Sequence, residues 1–145
     1  RHRHRGRADR LRRTHGDFHP FNILFDDAGA PVLLDASRGG EGDPADDVAC
    51  LAINFLFFGL EHRAGWAGGL GRLWHRFFES YTRARDDAGL FEVIGPFFAW
   101  RGLVVSSPQW YPHMIAADRD RILSFVERAL DADRFDPAMG VEAMA

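Results

Sequence analysis

The chain has 145 residues, 46% of them apolar and 27% charged, with a formal net charge of −3, which is the size and composition of one globular unit. Its 18 basic residues are all arginine, which excludes a Walker A phosphate loop and a Schiff-base enzyme, since each needs its own lysine. No apolar run reaches the roughly eighteen residues of a membrane helix, no apolar stretch follows the basic start as in a secretory signal, and a single cysteine, Cys50, excludes an internal disulfide.

The charge is uneven along the chain. Residues 1–13 carry seven arginines and Asp9, a net of +6. The Arg/His alternation over residues 1–5 has the charge to bind nucleic acid or a transition metal, but it lacks interleaved aromatics and a surrounding module. It is read as the end of an arginine-rich helix, and nucleic acid is not an expected partner. Residues 17–47 carry seven Asp and Glu41 against Arg38, a net of −7. Such a block suggests a site for a metal or a cationic substrate, or else a solvated acidic loop.

The elements follow in order. Residues 13–15 enter a loop in extended form, and Pro20 keeps 18–21 out of regular helix. Ile23, Leu24 and Phe25 form one apolar run and Val32, Leu33 and Leu34 another. Asp26, Asp27, Gly29 and Pro31 supply turn chemistry between them, so a β-hairpin is expected. Residues 37–42 read as a glycine-rich loop. Helical signals then begin: Asp43 can cap, Pro44 suits the first position, and Asp46 and Asp47 complement the dipole. Val48, Leu51, Ala52, Phe55 and Phe58 continue that helix, with Gly59 as its expected stop. Three more helices are predicted over 70–81, 90–104 with a bend or restart at Pro96, and 122–130. Cys50 lies in an apolar run and reads as a small core residue in a reducing compartment, so a cytoplasmic setting is expected.

The chemistry-bearing segment is His15-Gly16-Asp17-Phe18-His19-Pro20-Phe21-Asn22, followed by the hairpin and Asp35. If Ile23 pairs with Leu34 and Phe25 with Val32, Asn22 and Asp35 flank the open end of the hairpin, at a Cβ separation of roughly 4.5–5.5 Å. An amide oxygen and a carboxylate so placed can hold Mg²⁺, which takes few protein ligands when it travels with phosphates. Asp17, five residues before Asn22 across a proline turn, puts a second carboxylate nearby, able to accept the proton of an attacking hydroxyl. His15 and His19 are four apart, but Gly16 and Pro20 break the helix that a His-Glu-x-x-His zinc pair requires. An Asp-x-His metallophosphatase reading fails for lack of further ligand blocks, since His62, His75 and His113 stand alone.

These blocks, His-Gly-Asp-Phe-His-Pro-Phe-Asn-Ile-Leu, Val-Leu-Leu-Asp and Gly-Asp-Pro-Ala-Asp-Asp-Val-Ala, span residues 15–49 in that order. They resemble the C-terminal lobe of the aminoglycoside phosphotransferase and choline kinase-like family. The resemblance implies a protein-kinase-like fold: a mostly helical α+β lobe, with catalytic loop and metal hairpin over 13–47 and a helical body over 43–132. It implies transfer of a γ-phosphoryl group from ATP or GTP to the hydroxyl of a small molecule. Asp17 would be the base, Asn22 and Asp35 the Mg²⁺ ligands, and Asp47 the brace of the catalytic loop from the next helix. His15 reads as a structural hydrogen-bonding residue. His19 reads as loop packing or, alternatively, as a contact to phosphate or substrate.

Departures from the family pattern are informative. Ala36-Ser37 after Asp35, and Gly16 where protein kinases carry arginine, argue against a protein kinase. Phe21 replaces a glycine common before the metal asparagine, and Ala36 stands where an aromatic is frequent. The family's N-terminal lobe, with its phosphate lysine, is absent from these residues and is expected in cis; the fragment alone is expected to be inactive. Trp74 and Trp100 are read as core. Trp110 and Tyr111, on a loop between prolines, are the weak candidates for contacting a substrate. The rival reading is a non-catalytic kinase-like binding or regulatory remnant.

Overall fold

The computed structural model describes residues 6–145; the basic run over residues 1–5 lies outside the described residues. Two small antiparallel ribbons come first and a helical body follows. Strand β1 (Arg12–Arg13) pairs with β4 (Glu41–Gly42), Arg12 opposite Gly42, while β2 (Ile23–Phe25) pairs with β3 (Pro31–Leu33). The β1–β4 ribbon was not anticipated, because residues 37–42 carry only loop signals. It forms because Thr14 donates its backbone N–H to Gly40 (2.9 Å) and its hydroxyl to the same carbonyl (3.1 Å).

The hairpin is present, but one residue out of the expected register. Ile23 faces Leu33, Leu24 faces Val32, and Phe25 faces Pro31. The turn sets this register. Asp26 N–H donates to Ala30, Gly29 sits at φ +81, and the Asp26 carboxylate accepts the N–H groups of Ala28 and Ala30. A three-residue turn closed by a left-handed glycine fixes which residues face each other. Asn22 therefore lies opposite Leu34, whose N–H donates to its carbonyl at 2.9 Å, and Asp35 lies one residue beyond. Leu24, Phe25, Val32 and Leu33 are all exposed, so little burial supports this ribbon. A two-stranded ribbon of this kind is marginal by itself and relies on its ties to the loops around it.

The body consists of α1 (Ala45–Glu61), α2 (Arg63–Gly65), a wide turn over Trp66–Leu70, α3 (Gly71–Arg85), α4 (Leu90–Val93), α5 (Gly95–Val105), α6 (Ala116–Asp131) and α7 (Ala138–Met144). Asp43 starts α1 by accepting the Ala45 N–H at 3.0 Å, a capping bond that satisfies one orphan donor of the first turn. Gly59 does not stop that helix. It is buried inside it, where a Cβ would lie 2.9 Å from Trp66 and 3.0 Å from Met144, so glycine is there for close packing of α7 and the wide turn. Pro96 stands in the first turn of α5, where its missing N–H costs nothing. Helix α7 lies beyond the expected helical bound at 132 and packs on α1 and α6.

Trp74 is completely buried at the centre, ringed by Phe78, Phe98, Phe125 and Phe135 at centroid distances of 4.9–6.3 Å. Its indole N–H donates to the Pro137 carbonyl at 2.7 Å, so its one polar group is satisfied. Each fully buried aromatic of this kind contributes on the order of 1.5–3 kcal/mol. Trp100, read as core, is instead 60% exposed; helix phase alone put it with Phe97 and Phe98, but α5 turns that edge to solvent. Among the described residues no helix is long and apolar enough to cross a membrane.

Candidate active site

Two loops, residues 13–22 and 35–42, are laid against each other and pinned to the start of α1. The pin is Asp47. Its carboxylate accepts the backbone N–H of His15 at 2.6 Å and of Gly16 at 2.9 Å. Charge-assisted bonds of this type are roughly twice as strong as neutral ones. Gly16 itself has φ +83, and a Cβ there would sit 2.4 Å from the Arg38 carbonyl oxygen. This explains why glycine stands where protein kinases carry arginine: no side chain fits. Gly16→Ala is therefore expected to lower stability by at least about 2 kcal/mol, from left-handed strain and overpacking together. A urea midpoint equal to that of the unsubstituted protein would refute the close packing of the two loops.

His15 holds the loop from inside. Its Nδ1 accepts the Asp17 N–H at 3.3 Å, and its Nε2 is 2.8 Å from the Leu34 carbonyl oxygen. The pair of contacts is met by the tautomer with its hydrogen on Nε2. His19 has its Nε2 3.3 Å from the Asn22 amide nitrogen and 3.9 Å from Asp17 Oδ2, while its Nδ1 is buried with no partner among the described residues.

Asn22 donates its amide N–H to the backbone carbonyl of Asp17 at 3.0 Å. Its amide oxygen makes no hydrogen bond among the described residues. Asp35 adopts a left-handed backbone, φ 51° and ψ 52°, a sparsely populated conformation that Asp tolerates better than most residues and that clusters at functional sites. Its side chain is fully exposed, and the Ser37 hydroxyl donates to it at 2.6 Å, which holds the acid below the ordinary carboxylate range. The donor set, one neutral and one anionic oxygen, suits a hard divalent cation that brings its own phosphates and waters. No group of three or more His, Cys, Asp or Glu among the described residues forms an all-protein metal cage.

Asp17 sits in an ion cluster that was not foreseen. Arg101 of α5 places Nη1 3.5 Å from Asp17 Oδ1, Nε 3.0 Å from Asp46 Oδ1, and Nη2 3.1 Å from the Gly16 carbonyl. Arg38 approaches the other Asp17 oxygen at 3.3 Å. Arg101 is buried, and burial also pushes Asp46 above the ordinary carboxylate range against the pull of that guanidinium. The available signal was an arginine in phase with the apolar residues Phe97, Phe98 and Val104. A charge on a core face must have a partner, but periodicity does not say which acid.

Asp17, Arg101 and Tyr111 line a cavity of ≈ 90 Å³, together with Asn54 and apolar residues of α1 and α5. Tyr111 is packed on Phe57 at 4.8 Å, and its carbonyl is held by Arg119. Trp110, the other aromatic candidate, is 66% exposed and does not line it. Cys50 lines the cavity too, but burial pushes its thiol up to about 12, so it stays protonated.

The acidic block has mostly been spent inside the protein. Asp26 organises the hairpin turn. Asp43 is held by Arg10, which also grips Asp87, all at 3.0 Å or less. Asp46 faces Arg101 and Asp47 faces backbone N–H groups. Asp27, Asp35 and Glu41 remain exposed, away from these arginines.

A family model described as the phosphotransferase enzyme family matches residues 1–86, from the basic start through the two loops, the hairpin and α1 to the end of α3. Neither a curated protein nor a solved structure matches the chain.

Proposed function

Because the chain belongs to the phosphotransferase enzyme family, we propose that it moves the γ-phosphoryl group of ATP or GTP to the hydroxyl of a small molecule, and that it forms the catalytic lobe of a kinase-like protein. The observation that carries this reading is Asp17: a carboxylate on the wall of a cavity, held by Arg101, with its own backbone carbonyl tied to Asn22. Asp17 accepts the hydroxyl proton as the acceptor oxygen bonds to the γ-phosphorus, the bridging P–O bond breaks, and the nucleoside diphosphate leaves with the electron pair. Asn22 and Asp35 would hold Mg²⁺, and the ion, when bound with nucleotide, neutralises phosphate charge. Asp47, through His15 and Gly16, keeps the Asp17 loop in place, and His15 keeps the Asp17 N–H from turning away. The proposed cytoplasmic setting rests on the single cysteine, Cys50, which is free and buried.

The test is Asp17→Asn in the protein carrying the nucleotide lobe expected in cis, which keeps shape and removes the proton acceptor. Transfer from radiolabelled MgATP to a panel of small alcohols is expected to fall about 10²–10⁴-fold, with an unchanged circular dichroism spectrum. Transfer at the unsubstituted rate refutes Asp17 as base; absence of transfer by the unsubstituted protein favours the non-catalytic binding reading.

A further inference from the structure

The cavity beside Asp17 has a chemical character that the family assignment does not dictate. Its two firmly charged side chains, Asp17 and Arg101, lie 3.5 Å apart and offset each other. Arg38 and Asp46 complete the cluster, two carboxylates against two guanidinium groups. The rest of the wall is His19, Phe21, Ile53, Val104, Val105 and Tyr111, with Cys50 protonated. A ligand cation entering here would lose hydration and find no unpaired carboxylate, a cost that a buried charge cannot recover without a partner. Tyr111 is one ring, already packed against Phe57, and does not make an aromatic cage.

One polar residue interrupts the apolar face of α1. Asn54 is buried at 7% exposure, and its amide N–H donates to the Cys50 carbonyl at 2.7 Å. That bond orients the amide, and its oxygen makes no hydrogen bond among the described residues. The oxygen is an uncharged acceptor for a hydroxyl or another neutral donor. A carboxylate of the same shape at this position would have favoured a cation.

We infer that this cavity receives the hydroxyl end of an uncharged acceptor with an apolar body, and that Asn54 is the residue that makes the site neutral. The inference rests on the phosphotransferase reading for the word acceptor. The cavity takes only the reacting end of a ligand, since ≈ 90 Å³ is smaller than a benzene-sized cavity of about 150 Å³.

Choline and 3,3-dimethylbutan-1-ol are a matched pair, alike in shape and different in charge. Each is titrated into the ¹⁵N-labelled full chain while the Asn54 amide and Arg101 Nε–H signals are followed. The neutral alcohol is expected to bind at least about tenfold more tightly. Equal or tighter binding of choline overturns the inference, and so does the absence of any shift with either probe. Asn54→Asp is expected to bring choline level with the alcohol; an unchanged ratio removes Asn54 from the assignment. The matched pair on the unsubstituted chain decides the neutrality of the cavity even if that variant fails to fold. Phosphorylation in MgATP is scored separately. Transfer to choline but not to the alcohol overturns this inference and keeps the phosphotransferase reading. A tenfold preference upholds the cavity's neutrality, and absence of transfer to either alcohol by the protein carrying the nucleotide lobe counts against that reading.

Discussion

Arg101→Met is expected to destabilise the protein by about 3–5 kcal/mol at neutral pH, the cost of breaking a buried ion pair from one side. Methionine keeps most of the volume, so packing changes little. What is lost is the cation between Asp46 and Asp17, together with the donor to the Gly16 carbonyl. Two carboxylates then stand close together without their common partner. Their repulsion also loosens the Asp17 loop, so phosphoryl transfer should fall alongside stability. The pH dependence has a definite sign. Asp46 is already raised by burial, and removing Arg101 raises it further. A carboxyl group raised on folding makes the folded state bind the extra proton, so stability is lost as pH rises and recovered as pH falls through the raised value. Urea unfolding of Arg101→Met should therefore show its largest deficit at neutral pH and a smaller one in mild acid. Arg101→Lys should recover part of the loss by keeping the charge without the planar fork. A deficit below about 1 kcal/mol, typical of exposed pairs, would mean that water screens the cluster and that Arg101 does not organise the site.

Asp35→Gly should separate function from stability. If Asp35 holds Mg²⁺ as proposed, its loss removes charge stabilisation from the transition state, and transfer is expected to drop roughly 10³-fold or more. The fold should not weaken. Asp35 is fully exposed and in left-handed conformation, where a non-glycine residue carries about 1–2 kcal/mol of backbone cost. Glycine relieves that cost, offset by its greater freedom in the unfolded chain. The urea midpoint of Asp35→Gly should equal or exceed that of the unsubstituted protein, and should lie above that of Asp35→Ala, which keeps the strain and loses the Ser37 bond. This is the expected pattern when strain is kept at a site for function. Undiminished transfer by Asp35→Gly would end the metal assignment, and a midpoint below that of Asp35→Ala would end the strain argument.

The local elements were largely legible. Asp43 and Pro44 do open a helix, Pro96 does stand at a helix restart, and the 23–34 segment is a hairpin, because capping, proline geometry and turn chemistry act within a few residues. The register of that hairpin was not legible from its apolar runs. Both runs are three residues long and exposed, so burial does not choose between pairings. The choice falls to Gly29 and the Asp26 carboxylate in the turn. Trp100 was misassigned for a related reason: phase identifies one face of a helix, but the edge of that face is decided by what packs against it.

The absence of lysine, read at first as an exclusion, left arginine to fill every cationic role, and three of those roles lie at the site or its scaffold. Arg10 joins the start of α1 to the end of α3, Arg38 covers Asp17 from the loop, and Arg101 reaches it from α5. The sequence by itself determined the catalytic-loop motif, the hairpin, the helical body and the family, because those are properties of residues close together in the chain. Only the tertiary structure decided which acid each arginine meets, and hence that Asp17, Asp43 and Asp46 are the acids of the block held by guanidinium groups. Arg101 is 84 residues from Asp17 and 55 from Asp46. Electrostatic partnership depends on separation in space and on burial, and neither is set until the helices have packed.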